Sequence, residues 1–182
     1  MGSNPQRTFL FSTKLGWIAL SHSGGTIERI KVGYPTELLA VKAINEEVDE
    51  ANFVVRLNDE ERRMRKDFKD YGAGKQVDFK YLRLELGDQT EFSRKVLHHC
   101  RRVGYGKTLT YGQLAEKAGS PRGARAVGSC MKKNRFPLVI PCHRIVAGSG
   151  IGGFSGPRGC ELKRTLLELE GVTAFKAKKV AV

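Results

Sequence analysis

Cysteine is scarce and irregularly placed in this chain of 182 residues: none precedes Cys100, and Cys100, Cys130, Cys142 and Cys160 contain no CxxC pair. Neither a disulfide framework nor a zinc knuckle fits that spacing. Long apolar runs are missing too, so no segment is expected to span a bilayer, and the first residues lack a signal-peptide pattern. The expectation is a soluble cytoplasmic protein, or a nuclear one in a eukaryote. Acidic residues run short in one half only. Residues 1–85 carry 14 Lys and Arg against 13 Asp and Glu, whereas residues 86–182 carry 18 against 6. Nearly all of the net charge of +13 therefore sits in the second half. Such a field attracts polyanions, although a solvated surface that promotes solubility has the same composition.

The hydrophobic content of 40% is enough for a real core, in one large domain or two small ones. In the first half, residues 17–21 and 26–32 flank Gly24-Gly25, the pattern of a β-hairpin. A helix is expected from about Pro35-Thr36, carrying Leu38, Leu39, Val41 and Ala43. Another runs from about Asp59 to Tyr71, with Met64, Phe68 and Tyr71 at helical spacing. Tyr81, Leu82, Leu84 and Leu86 suggest a further strand. No nucleophile–base pair or ligand cluster occurs here, and His22 reads as a surface residue at a strand end. This half is assigned a structural role.

The second half opens with Asp88-Gln-Thr-Glu91, read as a capping box for a helix that Gly104 stops. Thr110 and Gln113 repeat that spacing and start a short helix ended by Gly119. Ser120 then caps a third helix, with Pro121 in its first turn. Two helices split by so short a link read as a helix-turn-helix or as an ordinary helical hairpin. The third helix, residues 123–130, is lined with small side chains and projects one long cation, Arg125. That face suits either tight helix packing or entry into a nucleic-acid groove, with Arg122, Lys132, Lys133 and Arg135 as phosphate contacts.

Pro141-Cys-His-Arg144 follows an apolar run and precedes a glycine-studded loop. A cysteine beside a histidine is either a packed small hydrophobe or a nucleophile whose thiolate is favoured by a nearby proton acceptor and positive charge. Residues 162, 166 and 169 give a last helix one leucine face, with Glu170 in its final turn before Gly171. A carboxylate there opposes the helix dipole, which is consistent with a functional placement.

Thr110-Tyr-Gly112, residues 124–128, Asn134, Pro137, residues 140–146 and Gly152-Gly-Phe-Ser-Gly156 together resemble the O6-alkylguanine-DNA alkyltransferase family, over about residues 88–171. The resemblance implies an α/β (α+β) fold: a small N-terminal ribonuclease-H-like sheet with helices over 1–85, a mostly helical, winged helix-turn-helix-like active-site domain over 86–172, and a basic tail over 173–182. It implies a monomer that binds double-stranded DNA containing O6-alkylguanine, needs no cofactor, and moves the alkyl group irreversibly to its own Cys142. O4-alkylthymine is left open as a second substrate. His143, oriented by Glu170, would act through a water, Asn134 would tie the turn to the nucleophile loop, and Tyr111 would donate to a ring nitrogen. Ser155 would donate near O6, the carbonyls of Cys142 and Ile145 would select guanine, and Phe154 would pack on the base, standing where many relatives have Tyr. Arg125 would replace the flipped nucleotide in the stack. Ala124, Ala126 and Gly128 would form the close-fitting face, and Arg122, Lys132 and Arg144 would contact DNA. Some relatives hold zinc in the N-terminal half; with no cysteine before Cys100, no metal is expected. Three alternatives remain: a non-catalytic sensor of alkylated DNA that recruits excision repair, which would lack the cysteine; a Cys-His hydrolase; and a plain helix-turn-helix regulator, which would not need the Pro-Cys-His-Arg loop.

Overall fold

Three antiparallel strands open the chain: β1 (Gln6–Thr13), β2 (Gly16–Ser23) and β3 (Thr26–Tyr34), as described by a computed structural model covering residues 5–45 and 52–175. Gly24 and Gly25 turn β2 into β3 with φ of 54° and 75°, left-handed values that a two-residue hairpin turn requires and that glycine adopts without strain. The hairpin expected at this point is present, but it is the second of two. β1 is an additional strand, paired along its whole length from Gln6–Ser23 to Thr13–Gly16. The expected strand at 81–86 shrinks to β4 (Arg83–Leu84), which runs parallel to β3 only at Thr26 and Ile27.

Alternation along these strands fills both faces of the sheet. Phe9, Phe11, Ile18, Leu20 and Ile27 point to one side, where α2 (Asp59–Gly72) lays Met64, Phe68 and Tyr71 against them. Leu10 and Ala19 point to the other, under Ala40 and Ile44 of α1 (Glu37–Asn45). The helix expected from about Pro35-Thr36 is α1; its buried stripe is Ala40 and Ile44, which leaves Leu38 and Leu39 62% and 44% exposed.

His22 corrects its reading as a surface residue. It is buried, its Nε2 lies 2.9 Å from Glu61 Oε1, and its Nδ1 accepts from the Gly25 N–H at 3.2 Å, so the ring donates to a carboxylate that also takes Arg7 Nε at 2.6 Å. Burial pushes the Glu61 carboxyl up, but Arg7, the Asn58 N–H and His22 together outweigh it and hold it at about 2, below its ordinary 4.5. A carboxyl depressed in the folded state contributes stability that is complete above its unfolded value and is lost as pH falls through the folded one. Acidification from pH ~5 to ~2 is expected to cost about 2 kcal/mol through this group, discounted because Arg7 is partly exposed. Urea midpoints across that range check it: Glu61→Gln flattens the dependence.

After β4 the chain becomes helical. α3 (Glu91–Arg101) is capped by Thr90, whose side chain accepts from the Ser93 N–H, rather than by the expected Asp88, and it ends three residues before Gly104. β5 (Leu109–Thr110) leads into α4 (Tyr111–Lys117), where Thr110 and Gln113 form the expected reciprocal capping box. α5 (Ala124–Lys132) starts later than expected. Ser120 accepts the Gly123 N–H through its carbonyl and makes a turn, so the helix begins only after Gly123 and the link is longer than the sequence suggested. β6 (Ile145–Val146) pairs parallel with β5, and α6 (Gly159–Leu169) closes the chain.

One hydrophobic cluster runs from Phe9 and Phe68 through Val96, Leu114 and Val127 to Leu162 and Leu166, so both halves share a core. Among the described residues no helix is long and apolar enough to cross a membrane. The lysines expected to form a basic tail, Lys176, Lys178 and Lys179, lie outside the described residues.

Candidate active site

Val139, Ile140 and Pro141 are buried and deliver Cys142 into a single 3₁₀ turn, Cys142–Arg144, wedged between α6 and the β5–β6 pair. Cys142 is only 7% exposed, yet it forms part of the wall of a cavity of about 400 Å³. Tyr111, Gly128, Met131, Phe154 and Ser155 complete most of that wall. This volume lies within the roughly 300–1,000 Å³ typical of small-molecule sites.

Burial pushes the Cys142 thiol up; the Asn134 side chain, the Lys163 charge and the N–H groups of Cys142 and His143 offset this only in part. The sequence suggested a depressed thiol. The structure corrects this to a protonated one at rest, because desolvation exceeds the local positive field.

His143, next to Cys142 in the chain, is buried against Glu170. His143 Nε2 is 2.9 Å from Glu170 Oε1, and His143 Nδ1 is buried with no hydrogen-bond partner in the protein. Burial lowers the His143 pKa against the raising effect of Glu170, so the ring is neutral near pH 7. With Glu170 ionised, the proton sits on Nε2 and Nδ1 is left as a base. Burial alone would raise the Glu170 carboxyl, but His143 and Arg144 hold it well below the usual carboxylate range. The Glu170 side chain is fully enclosed. It accepts from Tyr71 Oη at 2.5 Å, Arg144 Nη2 at 2.8 Å, Arg144 Nε at 2.9 Å and the Gly106 N–H at 3.1 Å.

One correction follows for the expected ligand set. Arg144, expected on DNA, is buried: its guanidinium pairs with Glu170 and donates to the Val103 carbonyl at 2.6 Å. Ile145 is buried, and its carbonyl accepts from Lys163 Nζ at 2.5 Å with a second lone pair left over. The remaining expected groups converge. Asn134 donates Nδ2 to the Ile140 carbonyl at 2.8 Å and accepts from the Phe136 N–H, tying the end of α5 to the nucleophile turn. Ser155 Oγ donates to the Lys132 carbonyl at 3.2 Å, and Tyr111 Oη faces the Gly153 carbonyl at 3.4 Å. On the outer side of α5, Arg122, Arg125, Ala126 and Lys132 are exposed, and Ala124 and Gly128 are half-buried. A Cβ built on Gly128 would meet nothing within 4 Å, so internal packing does not require glycine there.

Sequence reasoning missed two residues. Lys163 is fully buried, donates to the Ile145 and Gly153 carbonyls, and stands 5.7 Å from the Tyr111 ring centroid; burial brings its ammonium down to about 8. Its one legible signal was a lysine at i and i+4 with Leu167, on the inner stripe of α6. Tyr71, assigned to a purely structural half, reaches Glu170 from α2 and lies 3.2 Å from His143 Nε2. No local pattern predicts a contact that spans 99 residues.

A two-helix DNA-reader-like unit whose cysteine lies beside a buried histidine–carboxylate pair defines the class. Comparison with known proteins makes it specific. Residues 91–172 match the family model of the 6-O-methylguanine DNA methyltransferase, DNA binding domain. A methylated-DNA–protein-cysteine methyltransferase of Sulfolobus acidocaldarius is 49% identical over 107 residues, covering 58% of this chain and 64% of that protein. Among solved structures, Mycobacterium tuberculosis OGT in complex with DNA superposes with a TM-score of 0.71 at 26% identity, over 91% of this chain and 93% of that one. The O6-methylguanine-DNA methyltransferase of Pyrococcus kodakaraensis gives 0.71 at 29%, over 91% and 99%. The similarity to that family thus lies in residues 91–172. The chain spans 55–64% of the length of the curated relatives from S. acidocaldarius, Metallosphaera sedula and Methanothermobacter thermautotrophicus.

Proposed function

We propose that the protein repairs DNA by transferring the alkyl group of O6-alkylguanine to its own Cys142, once per molecule. The observation that carries this reading is a nucleobase-sized cavity whose wall includes Cys142, followed in the chain by a histidine whose buried Nδ1 has no partner in the protein.

Residues 86–172 act as the DNA-binding and alkyl-accepting unit. The small outer face of α5, with Ala124, Ala126 and Gly128, enters a narrow groove, and Arg122 and Lys132 neutralise phosphates. Because the reacting carbon is hidden in a duplex, the nucleotide is flipped into the cavity, and Arg125 takes its place in the stack. Inside, Phe154 and Met131 pack on the base, Tyr111 and Ser155 offer hydroxyl donors to a ring nitrogen and to O6, and the Cys142 carbonyl accepts from the exocyclic amine. His143 draws off the thiol proton through an intervening water. The thiolate then attacks the alkyl carbon in line, the C–O6 bond breaks, and the guanine leaves protonated rather than as a bare anion. The protein acts as a monomer without cofactor or metal. Water outside the buried Cys142–His143–Glu170 chain cannot readily hydrolyse a thioether, so the product stays on the protein.

The non-catalytic sensor is disfavoured, since it does not need a cysteine at position 142. Incubation with an oligonucleotide bearing one O6-methylguanine, followed by digestion and mass spectrometry, tests the reading. One methyl mass per protein is expected on the Cys142 peptide, and none in Cys142→Ala. Methyl release with repeated turnover would sink it.

A further inference from the structure

Tyr71 stands in the last turn of α2, fully buried, with its ring packed against Phe79 at 5.8 Å and Tyr105 at 6.2 Å between centroids. Phenylalanine would meet that packing as well. The hydroxyl has a separate use: it donates to Glu170 Oε1 at 2.5 Å, across 99 residues of chain, and lies 3.2 Å from His143 Nε2. A buried hydroxyl is costly to desolvate unless it is paired, and this one is paired with the carboxylate that also holds the His143 proton.

The direction of each bond follows from the charges. Glu170 is ionised and can only accept, while burial and that neighbouring carboxylate hold the Tyr71 phenol well above its usual range, so Tyr71 keeps its proton and points it at Oε1. His143 Nε2 donates to the same oxygen at 2.9 Å and Arg144 Nη2 at 2.8 Å. Donors on one carboxylate oxygen share its charge, so the phenol weakens the hold of Glu170 on a protonated His143. The titratable and charged groups around His143 and Tyr71 are Tyr105 from the loop between α3 and β5, Cys142 and Arg144 from the nucleophile turn, and Lys163 and Glu170 from α6 and its cap. Glu170 favours the charged imidazole ring, and Arg144 and Lys163 oppose it together with burial. Tyr105 offers a comparison in the same wall. Its hydroxyl also joins the two halves, between the Leu169 carbonyl at 3.0 Å and the Gly74 carbonyl at 3.2 Å, but these bonds go to backbone and not to the carboxylate.

Resting on the alkyl-transfer reading above, we propose that Tyr71 is a positioning residue of the acceptor site: through this one phenol the N-terminal half orients Glu170 and sets how strongly His143 takes up the thiol proton. The thiol proton passes from Cys142 through water to His143 Nδ1, and Tyr71 keeps its own proton throughout. A base has to be empty at rest and still able to accept, and a donor on its carboxylate partner moves that balance towards the empty state.

Single-turnover rates on duplex O6-methylguanine are to be followed against pH in the wild-type protein, Tyr71→Phe and Tyr105→Phe, with the His143 ring titrated by NMR in each. In Tyr71→Phe the acid limb of the rate profile and the His143 titration are both expected to move to higher pH by about half a pH unit, which at a fixed pH on that limb slows transfer about threefold. Tyr105→Phe is expected to lower Tm by about 3 °C and to leave limb and titration in place. An unmoved limb in folded Tyr71→Phe would overturn the proposal. Equal movements in the two variants would do so too, because a loosened wall would then be the cause. Should Tyr71→Phe not fold, Tyr71→3-fluorotyrosine keeps the ring and makes the phenol a stronger donor; the limb is then expected at lower pH, and no movement refutes the role. If the wild-type protein transfers no methyl, the alkyl-transfer reading fails, while the His143 titration still decides whether Tyr71 governs that ring.

Discussion

Glu170→Ala is expected to be the most damaging single substitution in the protein, for stability and reaction alike. The carboxylate side chain is fully enclosed and serves four partners at once: Tyr71, His143, Arg144 and the Gly106 N–H. Removing it strands the Arg144 guanidinium, which is 8% exposed and keeps its hydrogen bond to the Val103 carbonyl. Breaking a buried ion pair from one side costs about 3–5 kcal/mol, because the surviving charge is left desolvated. For a chain of this size that corresponds to a drop in Tm of about 10 °C. Glu170→Gln keeps the volume and one acceptor and should lose less, but it no longer holds the proton on His143 Nε2. The base at Nδ1 weakens, and alkyl transfer should slow about a hundredfold in either variant. Thermal melts and single-turnover rates at a temperature where both variants remain folded separate the two effects. An unchanged rate in folded Glu170→Gln would remove His143 and Glu170 from the chemistry and leave them a structural pair.

That network also explains what was legible in the sequence. Cys142, His143 and Asn134 were readable because they lie within nine residues of one another, and Thr110 with Gln113 because a capping box is a spacing rule. α2 and the β2–β3 hairpin were readable from periodicity and from a Gly-Gly turn. β1 was not, since Gln6–Thr13 is bounded on one side by ordinary residues and gains its identity from pairing with β2. Helix starts slipped where a polar residue capable of capping stood near a better-placed one: Asp88 lost to Thr90, and Ser120 was drawn into a turn before Gly123. Arg144 was misread because an arginine in a basic half suggests a phosphate contact; its burial depends on Glu170, which is distant in the chain. Tyr71 and Lys163 share that cause. A buried polar group is defined by its partners, and those partners come from other elements.

Arg125→Ala should leave the fold intact and separate duplex repair from the chemistry at sulfur. The side chain is exposed on α5, so its loss removes little buried surface, whereas the helix is held from behind by Val127 and Met131. Extruding a nucleotide costs a few kcal/mol in lost stacking and pairing, and a side chain that fills the gap lowers that cost in the flipped state alone. If Arg125 recovers about 3 kcal/mol of it, its removal slows transfer from duplex O6-methylguanine by about a hundredfold. Free O6-benzylguanine needs no extrusion and reaches the cavity between Tyr111 and Phe154 directly, so its rate should stay within about twofold of the parent. Arg122→Ala provides the contrast: a phosphate contact weakens binding and its salt dependence, and saturating duplex restores the rate. Parallel losses on duplex and free base in Arg125→Ala would mean that the arginine supports the cavity rather than the flipped state. A saturable loss like that of Arg122→Ala would reduce it to one more phosphate contact, and the unpaired space in the stack would then need another occupant from the same small-faced helix.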